Sequence, residues 1–153
     1  MYLFRLLLAI WGFGLIGTTG ELLLLEHFDG LLQVIPLAVL AIGFATSIWY
    51  VLRPGHASLK AFQVTLGLFA VSGLVGLFLH YRGNVEFERE RDPTLHGLQL
   101  FWHAITGATP ALAPGTMVFL ALIGVAIMLA NPVMPLPPRP PGPPFRTGAP
   151  TPH

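Results

Sequence analysis

The sequence predicts an all-α membrane protein with four transmembrane helices and one short amphipathic helix at the interface in the third connection. Three observations carry that expectation. The 153 residues are 54% hydrophobic and only 10% charged, whereas a soluble domain typically carries about 25% charge to cover its wet surface. Mean hydropathy is +0.70, with the apolar residues gathered into runs of the roughly 20 residues that a bilayer crossing needs. Charge is concentrated instead of spread, densest in the stretch HYRGNVEFERERDPTLHGLQLFWH from His80 to His103.

The same composition excludes several function classes. A net charge of +1 gives no long-range field for gathering nucleic acid. With no cysteine, the chain has no disulfide, no thiolate-held zinc and no thiol nucleophile.

The first helix is expected over residues 3–25. Arg5 followed by an apolar run has the outline of a signal peptide. The run continues through Leu25 without a small-x-small cleavage site, so it reads as a retained first span. Glu26-His27-Phe28-Asp29-Gly30 forms a tight link, with Asp29 able to cap the next helix. That second helix, 31–52, tolerates Pro36 near its start and ends in Trp49-Tyr50, an aromatic pair suited to the headgroup level. Arg53-Pro54-Gly55-His56 is a turn, and the third helix runs over 59–81.

The interfacial segment spans 82–115. Alternation of Val85 and Phe87 with Glu86 and Glu88 suggests a short extended stretch; the i,i+3 pairs Glu86/Arg89 and Glu88/Arg91 would suit a helix instead. Asp92-Pro93 reads as an N-cap and first helical position, opening a short helix to about Thr106. Leu95, Leu98, Trp102 and Ile105 share one side of it, and His96, Gln99, His103 and Thr106 another, so it should lie flat at a membrane surface. A stiff loop with Pro110 and Pro114 leads to the fourth helix, 116–131, short for a span at about 1.5 Å per residue. Residues 1–134 thus form the transmembrane domain, and 135–153 a proline-rich tail without a core.

Basic residues are sparse but placed. Arg5, the Arg53 and Lys60 turn, and the tail share one side, while the link at Glu26 has none. The positive-inside rule then puts both termini in the cytoplasm of a bacterial-type inner membrane and the charge-dense segment outside.

Candidate functional residues fall into three groups. Gly14, Gly17 and Thr18 continue to Glu21 on one helix face, and Gly73 and Gly76 continue to His80 on another. Small residues let backbones approach, so the first and third helices should pack together or on a common neighbour. A second group is the polar cluster of Glu21, Glu26, His27, His80, Glu86, Glu88, His96 and His103 on the outer rim. An ionisable group at membrane depth signals function, and histidine is the commonest metal ligand. The spacing resists a helix-encoded site. His96 and His103 are seven apart, about 10 Å along a helix, and no HxxxH, HExxH or ExxH pair occurs. The third group is docking residues, Arg82, Arg89 and Arg91 in the connection and Pro138, Arg139 and Pro140 in a polyproline segment of the kind aromatic grooves bind.

No catalytic arrangement emerges, and no cofactor is predicted, though haem or a divalent metal stays open. The sequence therefore points to a non-catalytic accessory or scaffolding subunit of a larger membrane complex, of a respiratory or photosynthetic kind, with other membrane subunits as partners. The alternatives are a small oligomeric transporter or proton-coupled carrier, for which Gln63, Thr65 and Ser72 are mild mid-helix groups, and a metal- or haem-binding membrane protein.

Overall fold

A computed structural model describes residues 1–107 and 113–131, which form five helices. They are α1 (Tyr2–Leu24), α2 (Leu31–Leu52), α3 (His56–Arg91), α4 (Gly97–Ile105) and α5 (Gly115–Ala130). α1, α2 and α3 are each long and apolar enough to cross a membrane. Large apolar side chains lie exposed on every one of them, including Phe13, Ile16, Leu32, Val71 and Phe78. Water would not tolerate so much exposed apolar surface; a lipid surround does. The fourth expected span is a helix of 16 residues, about 24 Å, and so falls short of the roughly 30 Å of hydrocarbon.

α3 is the axis of the molecule. α2, α5 and α4 all pack on it, while α1 packs on α5 and α2. Because lipid is as apolar as leucine, fit between side chains holds such helices together more than exclusion from water does. Trp11 supplies the largest piece, meeting Phe62 edge-on at 5.7 Å and Phe69 at 5.4 Å. Its indole Nε1 donates to Ser47 Oγ at 2.7 Å, and Ser47 in turn donates to the Gly43 carbonyl. Tyr50 stacks on Phe62 at 5.1 Å, and its hydroxyl accepts from Asn131 Nδ2 at 2.6 Å. That bond pins the end of α5 to the end of α2.

Glycine decides where the helices touch. A Cβ on Gly73 would sit 2.9 Å from the backbone nitrogen of Val118 and 3.0 Å from the Pro114 carbonyl oxygen, and one on Gly76 2.7 Å from Pro114 Cβ. On α1, a Cβ at Gly14 would meet Leu120 at 2.6 Å, whereas Gly17 faces open space. The glycine faces of α1 and α3 thus both meet α5, except at Gly17.

The third helix does not stop at Tyr81, as expected, but runs ten residues further to Arg91. Of the two readings of 85–88, extended or helical, the helical one holds. No proline intervenes before Pro93, and Arg82–Glu86 and Glu88–Arg91 pair along the helix, each such pair adding a few tenths of a kcal/mol. Pro93 then forces Asp92 out of helical geometry, to φ −141° and ψ 97°, because a residue before proline clashes in the α region. Asp92 therefore ends α3 instead of opening α4. α4 starts at Gly97, later than expected, with His96 at its N-cap and Gly97 itself at φ +56°, where a side chain would be strained.

Candidate functional site

The polar residues gather at the His80 end of the bundle in two separate places. The first is a collar made by the last turns of α3 and by α4 packed across them. Asn84 is buried and donates from Nδ2 to the Ala104 carbonyl at 2.8 Å. Tyr81 and Phe101 meet at 5.9 Å, and Leu100 and Ala104 turn inward to be buried.

One turn on from Asn84, Glu88 has a side chain only 5% exposed. Arg91 Nη2 stands 3.1 Å from its Oε2, and His103 Nδ1 stands 4.0 Å away. The Arg91 contact is an ion pair by distance, but its angle is not that of a hydrogen bond, so Oε2 accepts none. A buried carboxylate needs a cationic neighbour, and here the neighbour reaches in from an exposed position. Protonation of His103 would bring a second positive charge to the same oxygen. By contrast Arg82–Glu86 is well exposed on both sides, and pairs of that kind contribute about 0–1 kcal/mol.

Asp92 Oδ1 accepts from the Thr94 hydroxyl at 2.6 Å and from the Thr94 backbone at 2.9 Å. These two bonds, the hydroxyl first, hold its carboxyl below the usual range. The effect is to fasten the turn that redirects the chain from α3 into α4.

α4 presents a second, unburied face. Leu98 is 80% exposed and Trp102 64% exposed. The stripe of Leu98 and Trp102 foreseen as the apolar side is therefore not the side that packs on α3; it faces away from the protein and lines a shallow groove with Gln99, Phe101 and His103.

The second place is the pair His27 and His80, whose ring centres lie 6.3 Å apart. α1 ends in a Schellman motif: Glu26 N–H donates to the Leu23 carbonyl at 3.1 Å and His27 N–H to the Leu22 carbonyl at 2.9 Å. Glu26 takes the left-handed position at φ +51°, which glycine fills at no cost and another residue at roughly 1–2 kcal/mol. The position after it usually holds an apolar side chain folded onto the helix end. Here it holds His27. His80 Nδ1 is sealed from solvent and has no hydrogen-bond partner.

The eight polar residues foreseen as one cluster are thus not one site. Glu88 and His103 are together in the collar, and His27 and His80 together beside it. Glu21, Glu26, Glu86 and His96 are exposed, and among the described residues no three His, Asp or Glu come within reach of one metal ion. Arg82, Arg89 and Arg91 are exposed on the collar. Pro138, Arg139 and Pro140 lie outside the described residues. Asn84 is a site residue that the sequence pattern did not single out. Its signal was its distance of four from Glu88, which on a continuous helix puts both on one face.

No protein-family model matches this chain, and no curated protein or solved structure matches it.

Proposed function

We propose that the chain is a non-catalytic integral membrane subunit, an accessory or scaffold within a larger membrane complex, that docks partners through its collar. In this reading α1, α2, α3 and the shorter α5 all cross the bilayer, with both termini cytoplasmic, in a bacterial-type inner membrane. α3 beyond His80 and α4 stand outside. The basic residues support that orientation, since Arg5, Arg53 and Lys60 belong to the opposite end of the bundle from the collar.

One observation carries the proposal: α3 extends eleven residues past His80, about 16 Å, and α4 is fixed to that extension by the buried Asn84–Ala104 hydrogen bond. A spanning helix needs no such extension to cross lipid. A rigid projection with arginines at 82, 89 and 91 and exposed Phe87 supports a docking role, arginine and aromatic residues being enriched where proteins meet.

The transporter reading is the weaker one. The hydroxyls of Thr46 and Thr65 are spent on carbonyls of their own helices and that of Ser47 on Gly43 and Trp11, leaving little polar lining for a path at mid-bundle.

Affinity purification of the tagged chain in mild detergent tests the proposal. It should return stoichiometric membrane partners, and these should be lost from an Arg82, Arg89 and Arg91 triple alanine variant that still extracts as a folded helical protein. Recovery of this chain alone from its native membrane would overturn it.

A further inference from the structure

We propose that the end of the bundle opposite the collar binds anionic phospholipid headgroups through Arg5, Arg53 and Lys60. The inference rests on α1, α2 and α3 crossing a bilayer and not on the docking role, which uses none of these residues.

The chain separates its charges by sign along the bundle. All seven acidic side chains fall within residues 21–29 and 86–92, at the His80 end. The opposite end is formed by the start of α1, the end of α2 and the start of α3. It holds Arg5, Arg53 and Lys60, all exposed, with no acidic side chain to pair them. Ring contacts fix their depth. Trp11 on α1 meets Phe62 on α3, and Tyr50 on α2 stacks on the same ring, so the three mark one layer across the bundle. Counting outward at about 1.5 Å per residue, Lys60 lies about 3 Å, Arg53 about 4.5 Å and Arg5 about 9 Å beyond that layer. The cations thus share a band about 6 Å deep, which matches the roughly 5–7 Å that each headgroup layer adds to the hydrocarbon core. From Lys60 the next ionisable residue along α3 is His80, about 30 Å away, the thickness of that core.

The surroundings of each cation suit lipid better than a protein partner. Leu3 and Leu6 flank Arg5, Trp49 and Leu52 precede Arg53, and Val64 lies one turn on from Lys60; all five are exposed. Cationic side chains rooted among such residues lay their stems on apolar surface and carry their charge outward to the headgroups, and tryptophan favours the same level. A zwitterionic headgroup brings its own cation and so cancels none of the net charge. An anionic one supplies phosphate oxygens for arginine's paired donors together with a net negative charge. Each cation near an anionic surface is worth roughly fivefold in association.

Tryptophan quenching by brominated lipids tests this on the isolated chain. Trp102→Phe leaves Trp49, one turn before Arg53, as the exposed indole, since Trp11 is buried. That variant is reconstituted in vesicles of about four parts phosphatidylcholine to one of phosphatidylglycerol. Bromine is carried either by the phosphatidylglycerol or by an equal amount of the phosphatidylcholine. Quenching by the anionic lipid should exceed quenching by the zwitterionic one at least about twofold, and salt should reduce the excess. Adding Arg5→Gln, Arg53→Gln and Lys60→Gln together should abolish the excess, while Arg82→Gln/Arg89→Gln at the far end should keep it. All five positions are exposed, so the helices should survive, as circular dichroism checks. Strong quenching equal for the two lipids would overturn the lipid preference and leave the three cations to an acidic segment of a partner. So would an excess that survives the triple change or vanishes with the far-end pair. Weak quenching by both lipids would overturn the preference together with the membrane placement on which it rests. None of these readouts depends on partner recovery.

Discussion

The bundle and the collar are built from one continuous helix but held by opposite means. Below His80, α3 is gripped by shape: Gly73 and Gly76 admit the first turn of α5, Phe62 and Phe69 fill against Trp11, and few polar bonds cross between helices. Above His80, contact between the helices rests on one buried hydrogen bond, Asn84 to the Ala104 carbonyl, with His103 of α4 4.0 Å from Glu88, and on few buried apolar side chains. On the proposed placement, with the collar outside the bilayer, the difference comes from solvent. In lipid a close fit is the available attraction, while at a wet boundary a short helix of nine residues is unstable alone and needs specific anchors. Substitutions should therefore act globally in the bundle and locally in the collar.

The largest expected effect is at Gly73. A methyl there meets backbone atoms of Val118 and Pro114, which cannot rotate away, so Gly73→Ala should destabilise by about 1–3 kcal/mol, the usual range for overpacking. Gly67, on the same helix with nothing within 4 Å, is the control. Gly67→Ala should be neutral or stabilise by up to about 1 kcal/mol through helix propensity. Reversible unfolding in detergent, monitored by helical circular dichroism, distinguishes them, and equal effects would mean that α3 and α5 do not meet through glycine.

A smaller and local effect is expected at Asn84. Asn84→Ala strips the Ala104 carbonyl of its donor, and an unsatisfied buried polar group costs about 1–3 kcal/mol. Amides of residues 97–105 should exchange at least about tenfold faster, while those of residues 58–72 keep their protection and the melting temperature hardly moves. Simultaneous loss of protection in both regions would erase the distinction between collar and bundle.

This division also explains what could be read from the sequence. Apolar runs of spanning length and glycines at matching spacing are local, repeated signals, so α1 and α2 begin and end within one residue of expectation, and Gly14, Gly73 and Gly76 sit at helix contacts. The collar was misread because its hydropathy drops at Tyr81, and a drop in hydropathy marks where lipid ends, not where a helix ends. Charged residues at 82–91 continue the helix perfectly well, and only Pro93 stops it. On α4 the pattern assigned Leu98 and Trp102 to the side meant for a membrane surface, and both are exposed; it did not reveal that Leu100 and Ala104 form the side packed on α3. The sequence grouped His27 and His80 with six other polar residues on one rim but did not single out their approach, because the link turns back through a left-handed Glu26 that no propensity favours.

The smallest expected effect sharpens the comparison at the joint between α3 and α4. Asp92 lies in the wet collar, and its carboxyl is held below the usual range chiefly by the Thr94 hydroxyl and next by the Thr94 amide. A depressed folded pKa means that the ionised form is the one the turn favours. Its contribution is fully present above the ordinary aspartate value of about 3.9 and disappears as pH falls through the lower, folded one. Carbon-detected titration should therefore place the Asp92 midpoint below that of an unstructured aspartate, and Thr94→Val should move it back part of the way, since the amide bond survives. Protection of the Leu95 amide, which bonds to the Asp92 carbonyl at 3.2 Å, should fade over the same acidic interval while the bundle amides stay unchanged. An Asp92 midpoint at the ordinary value would show that the turn is held by Pro93 alone, and that the junction between the two regions is steric and not electrostatic.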